Sequence, residues 1–413
     1  MRTLVTFLFF FVLSTQAIFS QLRIGTDEMN LTFSGYINVT GIYDSRQVVA
    51  ARENHLLLYP KNEALDPSGT DINGADAFQF AVIQTRAAMK FKMKSFLGAE
   101  TEATLESEYM GNSEADVNGY RIRHAFVSMK WGNKQVLAGQ TWYPNYIPEV
   151  APEELSSNGG APFVAFGRAP QIRYTHELGS IKLIAAALTE RDFPSVGPLG
   201  ASSEYSRNAV FPDLHAQIQF KSDPLFLGVG GEYKKLRPRI VSATGYANKN
   251  TVEGYSLTGY AKYTTGLFKA AVYGLYGANV ANYLMISGFA VSELTPTTGI
   301  ESYKPTKIFS AYSDISYGSD LKVGLFYGYQ KNLGTDGDII KSSVYVRGID
   351  ASGALQSFYR VAPRIQYREG NTLLGAELEY HGAFYGKTSA KGTGEGVKLI
   401  NSTRFVTTLY YYF

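Results

Sequence analysis

Apolar and polar residues alternate along almost the whole chain. Leu31, Phe33, Ile37, Val39 and Tyr43 share one parity, and Thr32, Ser34, Asn38 and Thr40 the other. Successive side chains of a strand point to opposite faces, so such a segment has one apolar and one polar face. The next run is sharper: Ile83, Thr85, Ala87, Met89, Phe91 and Met93 alternate with Gln84, Arg86, Ala88, Lys90 and Lys92. Ala99, Ala103, Leu105 and Tyr109 then alternate with Glu100, Glu102, Glu106 and Glu108, and the chain closes on Phe405, Leu409, Tyr411 and Phe413 against Arg404 and Thr408.

Sixteen such runs are predicted, near 31–43, 80–94, 99–110, 120–131, 134–142, 166–177, 181–189, 212–220, 225–235, 252–263, 267–276, 307–317, 321–329, 357–368, 372–381 and 403–413. Most have the length that a tilted membrane strand needs. Short connections (95–98, 132–133, 178–180, 221–224, 264–266, 318–320, 369–371) alternate with long ones (44–79, 111–119, 143–165, 190–211, 236–251, 277–306, 330–356, 382–402). This alternation predicts an all-β fold, an antiparallel up-and-down transmembrane β-barrel of about 16 strands, with tight turns at one end and long loops at the other. An even strand number puts both termini at the short-turn end, which is periplasmic in outer-membrane barrels.

Sixteen strands enclose a lumen too wide for side chains to fill. The charged parity is therefore expected to face water inside, and the apolar parity to face lipid. Aromatic residues near run ends (Tyr36, Tyr43, Tyr109, Trp131, Trp142, Tyr263, Tyr276, Tyr317, Tyr380 and Phe413) fit interfacial girdles, or are ordinary strand aromatics. Two runs fit poorly. In 120–131, His124 would face outward if Arg121 and Arg123 face in, which calls for a bulge or a protein contact on that wall. Pro363 costs a ladder hydrogen bond within its run, unless it marks the true start of the strand.

Composition narrows the class. The 413 residues include 14% aromatics, 41 Gly and no Cys, with a net charge of +3. Disorder, a disulfide scaffold and a nucleic-acid partner are disfavoured. Residues 1–20 have the form of an export signal: Arg2, an apolar run from Leu4 to Leu13, then Ala17 and Ser20, with cleavage before Gln21. Residues 21–30 then form a short periplasmic segment, and 31–413 the barrel. No later stretch is long and apolar enough for a membrane helix.

Candidate chemistry lies on the inward parity and in one loop. Segment 143–165 contains Glu149, Glu153 and Glu154 among prolines and glycines. Folded inward, it would narrow a pore with carboxylates; an exposed external loop is the alternative. Arg86, Lys90, Lys92, Arg121, Arg123, Arg173, Arg364 and Arg404 form a candidate basic wall, able to set a transverse field and select ions. Salt-bridging to Glu100, Glu102 and Glu106 across the strands is the structural alternative. The five His are scattered, and no hydrolase, phosphate-loop or HExxH motif occurs, so neither an enzyme nor a cofactor or bound metal is expected. Asp71, Asn73 and Asp76, and Asp336 with Asp338, have spacings suited to calcium or to ordinary turns. Rival readings are a barrel lipase using His124 and Ser128, and a surface adhesin using loops 277–306 and 330–356. Gly35 and Gly41 on the first strand offer close wall-to-wall packing, or have local causes.

Several segments resemble the DcaP-like outer-membrane porins: IQTRAAMKFKMKS, YRIRHAFVSMKW, QVLAGQTWYP, APQIRYTHE (169–177), PDLHAQIQF (212–220), and YRVAPRIQYREG (359–370) with LLGAELEY (373–380). Together they cover most of the chain outside the long loops. The resemblance implies a trimeric sixteen-stranded barrel in the outer membrane of a Gram-negative-type bacterium. It implies a pore narrowed by an inward loop, and passive diffusion of small, often anionic solutes such as dicarboxylates. The expected partners are outer-membrane lipids, the solutes and two further copies of the chain. Terminal Phe413 resembles the signal read by the barrel-assembly machinery. The N-terminal coiled coil of some family members has no counterpart here, since about ten residues without heptads separate Gln21 from the first strand.

Overall fold

The computed structural model describes residues 22–25 and 29–413, so the predicted export signal lies outside the described residues. Sixteen strands build the wall. They are β1 (Met29–Asp44), β2 (Ala77–Ala81 and Arg86–Phe96, interrupted), β3 (Ala99–Glu108), β4 (Arg121–Trp131), β5 (Lys134–Trp142), β6 (Arg168–Leu178), β7 (Ile181–Leu188) and β8 (Asp213–Ser222). They continue as β9 (Leu225–Leu236), β10 (Val252–Thr265), β11 (Phe268–Ala278), β12 (Glu301–Gly318), β13 (Leu321–Gly334), β14 (Gly353–Glu369), β15 (Thr372–Thr388) and β16 (Gly394–Tyr412). Each pairs antiparallel with its neighbours in sequence, and β1 pairs with both β2 and β16, so the sheet closes. Closure satisfies the backbone without water, which is the condition for spanning a bilayer.

Every predicted run falls on a wall strand. Strands β12, β14, β15 and β16 extend further than predicted at the long-loop end. There they leave the span in which lipid imposes alternation, so their sequence carries no period of two.

On the outer face Ile37, Ile172, Ile218, Val229, Leu257, Val272, Leu374 and Leu409 are exposed, and between them Asn38, Thr40, Gln217, Thr258 and Thr408 are buried inside. A continuous apolar exterior of this extent suits lipid. Tyr43, Tyr109, Tyr263, Tyr276, Tyr317 and Tyr380 are exposed on it. Tyr36 and Trp142 do not join the girdle. Tyr36 shares the parity of Asn38 and meets Tyr410 edge-on at 5.1 Å, and Trp142 lies under Arg168.

Local irregularities re-aim several side chains. Opposite β1, Thr40 pairs with Ala81 and Tyr36 with Arg86, so the second strand carries one extra residue. Ile83, expected on the lipid side, is consequently buried inside while Val82 is exposed. A second bulge lies between β3 and β4, where Glu106 opposes His124 but Ser107 opposes Ile122, leaving Arg123 as the extra residue. Arg121, Arg123 and His124 are therefore all buried inside, and Ile122 is 54% exposed. His124 Nδ1 bonds Thr141 Oγ1 at 3.0 Å, so the lipid-facing histidine of the lipase reading and the protein contact on that wall both lose their basis. Pro363 is not a strand start, because β14 begins at Gly353. It faces outward where the ladder to β15 skips from Val361–Tyr380 to Arg364–Glu377, so its missing N–H breaks no bond in that ladder.

Gly35 and Gly41 are covered by the chain itself. A Cβ on Gly35 would lie 2.8 Å from the Phe413 ring, and one on Gly41 3.2 Å from the Phe80 ring. Below the C-terminus, Leu22–Gly25 pairs with Asn30–Phe33 and covers the edge of β1 that β16 does not reach.

Part of the inner wall adds aromatic residues to the charges expected there. Tyr260, Tyr273, Tyr312, Phe326 and Phe358, on the inward parity of β10–β14, are buried and form one apolar cluster with residues from the loop after β5. These aromatic residues sit among inward polar residues such as Thr258, Ser310, Asp314 and Gln330, and they face that loop.

Candidate functional site

Residues 143–165 connect β5 to β6 and lie across the interior. Their irregular backbone cannot join a ladder, so its carbonyls are satisfied by the wall. Tyr273 Oη donates to Asn145 O at 3.1 Å, Tyr312 Oη to Val150 O at 2.8 Å, and Ser310 Oγ to Phe163 O at 2.9 Å. Gln330 Nε2 donates to Pro162 O at 2.9 Å and Arg360 Nη2 to Ala161 O at 3.0 Å. The Glu377 carboxylate accepts from Leu155 N and Ser156 N at 3.0 and 3.2 Å. Two apolar side chains seat the segment over bare backbone: Leu155 on Gly375 and Phe163 on Gly328, where a Cβ would come within 2.5 Å of either.

The three loop carboxylates have different fates. Glu153 bonds Lys269 and Lys322, each at 2.9 Å. Burial opposes its ionisation, but the two lysines outweigh it and hold the carboxyl down at about 2. Glu154 is fully buried, 2.7 Å from Arg360, with Gly160 N donating to it at 2.6 Å. Burial dominates there and pushes its carboxyl up to about 7 against the pull of Arg360. Both anchor the loop. Glu149 alone of the three is exposed to the interior space.

Facing the loop is a cluster of guanidinium groups. Glu108, without solvent exposure, is shared by Arg86 (3.3 Å), Arg121 (2.5 Å) and Arg123 (2.5 Å). Glu106 takes a second bond from Arg123 at 2.5 Å, and Asp192 pairs with Arg121 at 2.9 Å and with Arg168 at 2.8 Å. Four cations thus meet three carboxylates. Arg168 shares the parity of the outward Ile172 and Tyr174 yet is buried inside. It sits one residue past Gly167, whose φ of 142° favours glycine, and its guanidinium lies 4.0 Å from the Trp142 ring centroid. Its Nε and Nη2 are buried without a hydrogen-bond partner. A cavity of about 160 Å³ separates these arginines from Tyr146, Glu154 and Ser157 of the loop. Arg86 also lines a second space of about 290 Å³ with Tyr36, Glu106 and Tyr412 at the short-turn end.

The remaining predicted residues are more dispersed. Arg364 forms a bidentate pair with Asp314 and Arg404 with Asp44. Lys92 reaches Glu102 at 3.9 Å, while Lys90 and Glu100 are exposed on the inward parity. Arg173 faces inward, held by Gln171 and the Trp142 carbonyl. The calcium candidates serve other ends. Asp71 pairs with Arg46 at 2.6 Å and caps the turn at Asn73, Tyr43 donates to Asp76, and Asp336 pairs with Lys307.

Comparison with solved structures places this architecture among outer-membrane channels. The outer-membrane channel DcaP of Acinetobacter baumannii superposes with a TM-score of 0.65 at 15% identity, covering 94% of this chain and 99% of that one. OmpT of Vibrio cholerae, in its trimer form, gives 0.56 at 13% identity, covering 94% and 100%. The anion-selective porin from Comamonas acidovorans gives 0.55 at 13% identity with the same coverage. No protein-family model matches the chain, and no curated protein matches it in sequence. The fold is that of the sixteen-stranded porin barrels.

Proposed function

We propose that this chain is an outer-membrane porin, a passive diffusion channel for small hydrophilic solutes that favours organic anions, dicarboxylates among them. The observation that carries the reading is the arrangement of four arginines against three carboxylates beside a loop-narrowed interior, inside a closed barrel with a lipid-compatible exterior. Passage needs no chemical step. The cavity beside Arg121 and Arg168 and the space below Arg86 share that arginine, and the route proposed runs past it along the basic wall. Excess positive charge at a low-dielectric constriction raises the local concentration of anions.

The porin fold supports an outer-membrane location and a homotrimer, with the apolar wall against lipid and neighbouring subunits; Phe413 as the signal for the assembly machinery and export through a cleaved signal are proposed with them. The adhesin alternative is weakened because Ala278–Val291, much of one loop it would display, is buried. The test is the reversal potential of the purified protein in a planar bilayer under a salt gradient. Anion preference is expected; clear cation preference would overturn the proposed selectivity, and absence of any current the channel itself.

A further inference from the structure

Charges inside this barrel are generally paired within ion-pair distance, as Arg364 is with Asp314, Arg360 with Glu154 and Lys234 with Glu190. Arg173 and Glu149 are arranged otherwise, and they line the same cavity. Arg173 gives Nε to the neutral amide oxygen of Gln171 at 2.9 Å and Nη2 to the Trp142 carbonyl at 2.7 Å. Glu149 is held through its backbone, whose carbonyl accepts from Lys262 Nζ at 2.7 Å, and its carboxylate stays exposed. Among the described residues neither charged group is in an ion pair.

The cavity between them has about 210 Å³ and lies under the loop against β5–β8. Its floor is polar: Gln135, Thr175, Gln217 and Gln219, the last three nine-tenths or more buried, beside Lys182, whose ammonium is paired with Glu177 at 3.5 Å. Its roof is Pro144, Tyr146, Ile147 and Pro148, and it adjoins a vestibule of about 550 Å³ at the short-turn end, both being lined by Glu149, Lys182 and Gln219. A cation fixed on the wall and a carboxylate fixed on the loop, kept unpaired across a polar space, leave each charge to be met by something else. Water would do so, but a solute bearing both signs would meet both at once. Its carboxylate would face the fixed guanidinium, its ammonium would face Glu149, and the amides would bond its remaining polar atoms.

We infer that this cavity is a binding station for small zwitterions of the α-amino-acid class, distinct from the arginine-lined route. The inference rests on the channel reading and narrows the class of solute carried by it. The probe is L-glutamine, with acetate, methylammonium and glucose at matched concentration as single-charge and neutral controls. In planar bilayers, glutamine is expected to interrupt the open-channel current for longer than any control. The interruptions should shorten by about tenfold, the equivalent of roughly 1.4 kcal/mol, in Glu149→Gln and in Arg173→Gln. Glu149 is exposed, so Glu149→Gln carries the test should Arg173→Gln fail to assemble. Glutamine interruptions no longer than those of glucose, or unchanged in Glu149→Gln, overturn the inference. Calorimetric titration of glutamine into the detergent-solubilised barrel reads binding without current. Saturable binding lost in Glu149→Gln would uphold the station even if no current were seen, whereas open current without such binding would overturn the station and leave the channel.

Discussion

The Phe163 ring rests directly on the backbone of Gly328, so that a Cβ built there would stand 2.5 Å from Phe163 Cδ2. Any side chain at position 328 must therefore displace the ring. We predict that Gly328→Val costs about 1–3 kcal/mol through overpacking and shifts this stretch of the loop towards the lumen axis. Single-channel conductance should fall and thermal unfolding should come earlier. Unchanged conductance and melting temperature would contradict that seat.

Glu154 makes loop docking pH-dependent. Its carboxyl is raised by burial to about 7 when docked, against 4.5 for the free group. A raised value means that the contribution to docking is full below about 4.5 and is lost as pH rises through about 7. Current fluctuations from loop motion are expected to grow from pH 4.5 to 7.5 in the wild type. In Glu154→Gln they should show no such trend over that range. Noise that falls with rising pH would have the sign wrong.

Glu108 has no solvent exposure and serves three arginines. Removing its charge leaves buried guanidinium groups uncompensated, a change that costs roughly 3–5 kcal/mol in comparable sites. Glu108→Gln should denature at lower guanidinium concentration while becoming more anion-selective. Stability and selectivity moving together in this direction would separate the arginine cluster from a passive structural patch; a gain in cation permeability would refute it.

The seam of the barrel ends on a reciprocal pair: Gly35 N donates to Phe413 O at 2.9 Å and Phe413 N to Gly35 O at 3.0 Å. Deleting Phe413 removes both bonds, about 1 kcal/mol each, and uncovers Gly35. Phe413→Ala keeps the bonds and loses only the ring. Heat-modifiable gel migration should show the deletion folding least completely, the alanine variant next, and the wild type fully. Equal yields from all three would mean that the seam does not limit assembly.

The strand rhythm was legible because lipid on one side and polar side chains on the other impose it residue by residue, as at Leu257 and Thr258. Other features left weaker marks. The bulge at Arg123 changes no residue type; it only shifts the facing of the neighbouring residues by one position, so the alternation points His124 outward. On β10–β14, Tyr260, Tyr273, Tyr312, Phe326 and Phe358 alternate with further apolar residues, and sequence alone does not tell a loop-facing wall from a lipid-facing one. The separate fates of Glu149, Glu153 and Glu154 depend on where the loop crosses the lumen, which is a matter of long-range packing. Arg168 falls within the predicted run 166–177 but on the parity of the outward Ile172 and Tyr174, so the alternation points it towards lipid.

The oily inner wall also bears on how the passage could be regulated. Lifting residues 143–165 away would wet Phe326, Phe358, Tyr273 and Tyr312 together, at about 1.5–3 kcal/mol for each large apolar side chain uncovered. A plug held by that much hydrophobic adhesion does not work as a hinged door. The aperture is cast when the barrel folds, and pH-linked movement at Glu154 stirs the loop about its seat without lifting it off.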